Sequence, residues 1–143
     1  VIPSDTINIP SPASLAFSSA TTGASALKLV DAAGDFITRG VRIGDIIYSK
    51  GGVVSIVTAV DSATQLSVDL AVATAKTYDL YASPNIPNNG CVLYVGTAGD
   101  VDIITAGGDS VLLTGVLAGS FIPIQVTRVK SGSTTALTIL ALW

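Results

Sequence analysis

Short runs of β-branched and aromatic residues, separated by turns rich in glycine and Asx residues, most limit how this 143-residue chain can fold. Val, Ile, Thr and aromatic side chains favour extended backbone, whereas Gly, Asn and Asp favour the turns between strands. No stretch keeps the period of a long amphipathic helix. We therefore predict an all-β protein, built as an antiparallel β-sandwich or a small barrel.

The predicted strands fall into two groups. The first group comprises residues 27–30, 45–49, 53–60, 65–70 and 78–82, and the second comprises residues 91–95, 101–105, 110–113, 123–129 and 136–143. Two of the connecting segments, residues 50–52 and 61–64, have the length and the Gly or Asx content of antiparallel hairpin turns.

The two groups of strands predict two β units in one chain. Residues 1–26 contain three prolines and no strand period, so we predict an extended N-terminal arm. A small β module over residues 27–83 is then inserted between this arm and a sandwich-like base domain over residues 91–143. The connector, residues 84–90, is rich in Pro and Asn. If the arm is ordered, we expect it to lie along a neighbouring subunit; a floppy terminus is the alternative.

Composition indicates a protein that works in an assembly. Hydrophobic residues make up 49% of the chain and charged residues 12%, against about 25% charged in an average soluble domain. Contacts between subunits cover apolar area that a monomer would expose. The candidate contact residues are Val1, Ile2, Pro3, Ile7, Ile9, Phe121 and Trp143, and packing within the chain is the alternative for each of them.

Charge and hydropathy argue against two classes of partner. The net charge is −3, and the seven Lys and Arg residues are scattered, so the chain lacks the cationic surface that binds phosphates. The longest apolar runs are far shorter than the about 20 residues that cross a bilayer as a helix. We therefore expect no nucleic-acid partner and no membrane partner.

The usual nucleophilic and metal sites cannot be assembled from this sequence. It has no histidine, which excludes Ser-His-Asp and Cys-His arrangements and the common zinc sets. Its one cysteine, Cys91, cannot form an intrachain disulfide, and its apolar neighbours predict a buried strand position. We predict no catalytic residue, no cofactor and no metal.

Three aspartates and a pair of glycines offer alternatives to that prediction. Asp100 and Asp102 could act as the two acids of a glycosidase, and with Asp109 they could gather around a calcium ion. Their positions beside glycine turns favour a capping role instead. Gly96 and Gly99 lack the Lys and the helix of a phosphate loop, so we predict that they form a hairpin turn.

Several segments in the second half of the chain resemble the head spike-base proteins of tailed bacteriophages and of the phage-like gene transfer agents. They read CVLYVGTAGDV (residues 91–101), TAGGDSV (105–111), VLAGSFIPIQVTRV (116–129) and LALW (140–143). The segment PSDT (3–6) resembles the stretch that precedes the first matching strand in that family. The resemblance covers residues 90–143, and residues 11–88 would be an insertion relative to the short family form.

This resemblance implies a non-enzymatic virion structural protein on the capsid surface, either a capsid decoration (cement) protein or a head spike-base subunit. Its expected partners are the major capsid protein and copies of itself in a homotrimer, with a spike or fibre protein as a further partner. The alternative is a host-glycan-binding module of a phage spike or tail, which would use exposed loops such as residues 50–52 or 61–64. A low aromatic content weighs against it.

Overall fold

The computed structural model of the protein describes residues 1–82 and 89–143, so most of the predicted connector, residues 84–90, lies outside the described residues. The described chain forms twelve strands, all paired antiparallel, which confirms the all-β class and all ten predicted strands. The strands are β1 (Leu15–Ala20), β2 (Gly23–Ser25), β3 (Lys28–Val30), β4 (Ile46–Ser49), β5 (Val53–Ser62), β6 (Gln65–Val68), β7 (Thr77–Tyr81), β8 (Cys91–Thr97), β9 (Gly99–Thr105), β10 (Ser110–Val116), β11 (Ser120–Val129) and β12 (Leu137–Leu142), preceded by a 3-10 helix at Pro12–Ser14.

The chain divides into two compact units, each with its own core. Val1–Ser11 and Pro87–Trp143 form one unit, which we call the base unit, and Pro12–Ile86 form the other, which we call the inserted unit. The inserted unit thus stands in the chain between the two segments that form the base unit. The two cores share no residue.

The inserted unit is a seven-stranded sheet in the order β1-β7-β4-β5-β6-β3-β2. The long strand β5 pairs with β4 along its first half and with β6 along its second half, so it belongs to both halves of the sheet. Its core gathers side chains from six strands and from the loops: Phe17, Leu29, Phe36, Val41, Ile47, Val57, Val60, Leu66, Val68, Val72, Tyr78 and Leu80. Because these form one cluster, both halves of the sheet face the same core.

The predicted arm over residues 1–26 is too long, because its second part belongs to the inserted unit. Strand β1 pairs with β7, and β2 pairs with β3. The Phe17 ring packs 6.3 Å from the Phe36 ring and 6.2 Å from the Tyr78 ring, measured between centroids. Strand β1 contains no β-branched residue, so its extended form comes from pairing with β7 and from burial of Phe17 rather than from propensity.

The first part of the predicted arm is ordered on its own chain rather than along a neighbour. The amide of Ser4 donates to the Val129 carbonyl and the amide of Ile9 to the Thr127 carbonyl, each at 2.8 Å. The Asp5 carboxylate accepts hydrogen bonds from the amide and the hydroxyl of Ser131 at 2.9 and 2.6 Å. The physical reason is that β11 and the turn after it offer both polar partners and apolar cover within the same unit.

The base unit is a five-stranded sheet in the order β10-β9-β11-β8-β12. Strand β11 pairs with β8 through Ser120 to Ile122 and again at Val126, and it pairs with β9 from Val126 onward, with an irregularity between Ile122 and Val126. Pro123 stands in this irregular stretch, where the missing N–H breaks no ladder bond. The core of the unit consists of Ile9, Cys91, Leu93, Val95, Val101, Ile103, Ile122, Val126, Val129, Ala136 and Ile139.

The predicted hairpin at Gly96 and Gly99 is wrong, because β8 and β9 are not neighbours; β11 lies between them. The two glycines serve close backbone approach instead. A Cβ on Gly99 would stand 2.5 Å from the backbone nitrogen of Ala136. The carbonyl of Asp100 accepts bonds from the amides of Thr135 and Ala136 at 2.9 and 3.1 Å, which keeps that segment against the turn.

Candidate interaction surface

The candidate contact residues in the arm do not form a free surface. Ile7 and Ile9 are buried, and Ile9 belongs to the core of the base unit, so the chain itself already covers both side chains. Val1 is partly buried against the same core, and Ile2 and Pro3 are half-buried. These residues hold the arm against the base unit. The prediction that Ile7 and Ile9 contact another subunit is therefore wrong, because both side chains pack within their own chain.

The two candidate contact residues outside the arm are exposed. The Phe121 side chain is 61% exposed and the Trp143 side chain is 52% exposed. Core packing, which was one of the two interpretations of Trp143, is therefore wrong. Phe121 is the more informative of the two residues, because strand pairing fixes its neighbours.

Phe121 lies in a row of apolar side chains that crosses three strands. Its partner in the β11–β8 register is Tyr94, and the partner of Tyr94 in the β8–β12 register is Leu140. The rings of Phe121 and Tyr94 lie 5.3 Å apart between centroids. Val92 and Leu142 form the next register pair on the same side, because alternate residues of a strand point to one face. We call Val92, Tyr94, Phe121, Leu140 and Leu142 the apolar face.

A shallow groove extends the apolar face toward β10. It has a volume of about 540 Å³, and Phe121 belongs both to the groove and to the face. Leu112 and Ile124, both exposed, line it as well. The groove therefore continues the apolar surface from the β11–β8–β12 side of the sheet to β10.

Long stretches of sequence around the apolar face contain no charged side chain. Strand β8, residues 110–127 and residues 131–143 contain no Asp, Glu, Lys or Arg. The charged residues of the base unit lie in the arm, around β9 and at the end of β11, where they bond to each other and to the backbone. The Lys130 ammonium lies 3.1 Å from an Asp102 carboxylate oxygen, for example. Apolar contact is thus the interaction that this face offers.

The three aspartates that could act as acids or calcium ligands have separate partners. Asp102 pairs with Lys130, and an Asp100 carboxylate oxygen accepts the amide of Gly115 at 2.8 Å. The Asp109 amide donates to the Thr105 hydroxyl. Within the described ranges, no group of three or more acidic, Cys or His residues is placed to hold a metal. The structure thus does not bring these three residues together into one such group.

Cys91 is buried in the base core, as predicted. Its thiol lies 3.4 Å from the Val126 carbonyl oxygen. Burial raises the pKa of this thiol to about 11, so it stays protonated at neutral pH and is a poor nucleophile. Cys91 therefore fills space between β8 and β11.

The loops that a glycan-binding role would use make ion pairs and hydrogen bonds within the inserted unit. In the β4–β5 loop, the Lys50 ammonium lies 3.9 Å from the Asp79 carboxylate. In the β5–β6 loop, the Asp61 carboxylate accepts a hydrogen bond from the Lys28 ammonium and another from the Ser67 hydroxyl, each at 2.9 Å. A sugar would have to compete with these existing partners.

Sequence reasoning located Phe121 but missed Val92, Tyr94, Leu112, Leu140 and Leu142. The missed signal is that both faces of β8 and β12 are apolar, where a strand with one wet face would alternate with polar residues. The absence of charge over residues 110–127 and 131–143 adds to this signal.

No protein-family model matches the chain, and the comparisons with curated proteins and with solved structures likewise give no match. Among residues 1–82 and 89–143, no helix has the length and apolar character needed to cross a membrane.

Proposed function

We propose that this protein is a virion structural protein of a tailed phage, either a capsid decoration (cement) protein or a head spike-base subunit on the capsid surface. The observation that carries the proposal is the apolar face. It lies in the base unit, within the same residues whose motifs resemble the spike-base family, and residues 91–97, 110–127 and 131–143 contain no charged side chain.

A structural role of this kind works mechanically. Many copies around a shell convert modest individual contacts into high avidity, because each bound copy holds its neighbours at high local concentration. Such a role needs a rigid scaffold and a complementary surface rather than a catalytic pocket. The proposed partners are the major capsid protein and copies of this chain in a homotrimer, with a spike or fibre protein as a further partner.

The decisive experiment is cryo-electron microscopy of the native particle that carries the protein, joined to a binding assay on emptied capsids. Density for the chain arranged symmetrically on the head, together with sedimentation of the purified protein with emptied capsids, is the expected result. Density confined to the tail and no binding to capsids would contradict the proposal. A positive glycan array in that case would establish the host-binding alternative.

A further inference from the structure

We infer that the apolar face is the surface through which copies of this chain contact one another. This inference rests on the proposed function, because it takes the face to be the assembly surface of that structural protein. It names the occupant of the face as a second copy rather than the shell, a segment of the same chain or a ligand.

The exposure of the face is the first step of the argument. Phe121 is 61% exposed, Leu140 is 49% exposed and Leu142 is 43% exposed, although each belongs to a well-paired strand. Contiguous apolar area in contact with water is unfavourable, and a patch of several hundred Å² usually marks an interaction site. A partner that covers this face would therefore be stabilising.

The N-terminal arm is not the occupant. Hydrogen bonds from Ser4 to Val129 and from Ile9 to Thr127 seat it along the second half of β11. With the arm in this position, the side chains of Phe121 and Leu140 remain exposed. No further rearrangement of the arm is needed to complete the base core, because Ile9 already belongs to it.

The absence of charge selects a second copy. The chain is acidic, with a net charge of −3, so two copies approaching through charged surfaces would repel each other. A surface without charge avoids that cost. Interfaces between identical subunits are also more apolar than contacts that form and dissociate between different proteins, and charged residues are depleted at their centres.

The area is of the right order for such a contact. The exposed parts of the face, with Leu112 and Ile124 of the groove, present on the order of 500 Å² of apolar surface. A stable interface buries about 800 Å² on each partner, roughly three-fifths of it apolar. The polar rim of the groove, which includes Thr114 and Ser120, supplies the kind of surface that makes up the remainder.

The test is the mass of the full chain in solution, measured by sedimentation velocity between about 1 and 100 µM, the range in which micromolar contacts are populated. We expect the wild-type chain to associate. The variants Phe121→Asp and Leu140→Asp each place an unpaired charge at the centre of the contact. We expect each of them to weaken association by about tenfold or more. Leu140→Thr, which keeps a strand-forming residue, should weaken association by less.

The matched control is Ile43→Asp. Ile43 is 70% exposed and belongs to the inserted unit, so the same kind of substitution should leave association unchanged. Circular dichroism and thermal unfolding establish that each variant is folded before its mass is interpreted. A monomeric wild-type chain at the highest concentration would overturn the inference, as would Phe121→Asp and Leu140→Asp variants that are folded and associate like the wild type.

The outcomes separate this inference from the proposed function. A wild-type chain that is monomeric but binds emptied capsids, with binding lost in Phe121→Asp, would assign the face to the shell. The inference alone would then fail. An associating chain found only on the tail of the particle would overturn the capsid role and leave the contact between copies intact.

Discussion

The two units of this chain differ in how many charged side chains they carry. Five of the seven basic residues and six of the ten acidic residues belong to the inserted unit, where several make internal bonds, such as Lys28 with Asp61. The last three strands of the base unit are almost free of charge and expose Phe121, Leu140 and Leu142. The inserted unit therefore carries most of the charged side chains, whereas the last strands of the base unit bring exposed apolar side chains together in one row.

A pair of identical substitutions tests this contrast most strongly. Phe36→Ala should lower the free energy of unfolding by about 3–5 kcal/mol, because it empties a fully buried position in the core of the inserted unit. Phe121→Ala should cost less than about 1 kcal/mol in dilute protein, since the ring is mostly in water. Urea unfolding followed by circular dichroism measures both.

Protein concentration sharpens the same comparison. If copies associate through the apolar face, the stability of the wild type should rise with concentration and that of Phe121→Ala should rise less. Equal costs for Phe36→Ala and Phe121→Ala in dilute protein would mean that the two rings are equally buried and would break the comparison.

The second prediction concerns the polar interior of the inserted unit. The Tyr78 hydroxyl donates to the buried Asp31 carboxylate at 2.8 Å, and desolvation raises the pKa of Tyr78 well above its usual value of 10. Tyr78→Phe leaves that carboxylate oxygen without this donor, so we expect a loss of about 1–3 kcal/mol in unfolding free energy. Tyr81→Phe, a change at a half-exposed ring, is the control, with less than about 0.5 kcal/mol expected. Equal effects of the two changes would show that Asp31 does not depend on Tyr78.

The third prediction concerns the corner between β8 and β9 in the base unit. Gly99→Ala would place a methyl group 2.5 Å from the Ala136 backbone nitrogen, and the backbone cannot swing away as a side chain would. We expect a loss of about 1–3 kcal/mol, the usual cost of overpacking. A Cβ on Gly132 meets nothing within 4 Å, so Gly132→Ala should be neutral or slightly stabilising. Thermal unfolding of both variants is the measurement, and a harmless Gly99→Ala would contradict the close approach.

The smallest effect is expected at the arm, and it depends on pH. Hydrogen bonds from the side chain and the backbone of Ser131 lower the pKa of Asp5 below its usual value of 3.8. The folded state therefore favours the carboxylate, so its contribution is present above pH 3.8 and is lost as the pH falls through the lower pKa of the folded state. The NMR amide shift of Ser131 should follow this titration, and Asp5→Asn should abolish it. A Ser131 shift unchanged by the substitution would exclude Asp5 as its cause.

Local chemistry predicted the strands from Lys28 onward, because β-branched runs and Gly or Asx turns act over a few residues. Strands β1 and β2 escaped prediction because Leu15–Ala20 and Gly23–Ser25 have weak strand propensity and become extended only by pairing with β7 and β3. The order of the base sheet also could not be predicted, since nothing local indicates that β11 lies between β8 and β9. The same limit applies to the apolar face, which exists only once Tyr94 has Phe121 on one side and Leu140 on the other.

The first and last strands of the inserted unit are direct neighbours. β1 pairs with β7, and the amide of Ala82 donates to the carbonyl of Ser14 at 2.9 Å. Its two ends therefore leave the sheet side by side, a geometry that tolerates domain insertion because the host chain is interrupted at a single place. In evolutionary terms, this geometry would allow the inserted unit to be gained, lost or exchanged as one segment, while the order of the strands that carry the apolar face stays the same.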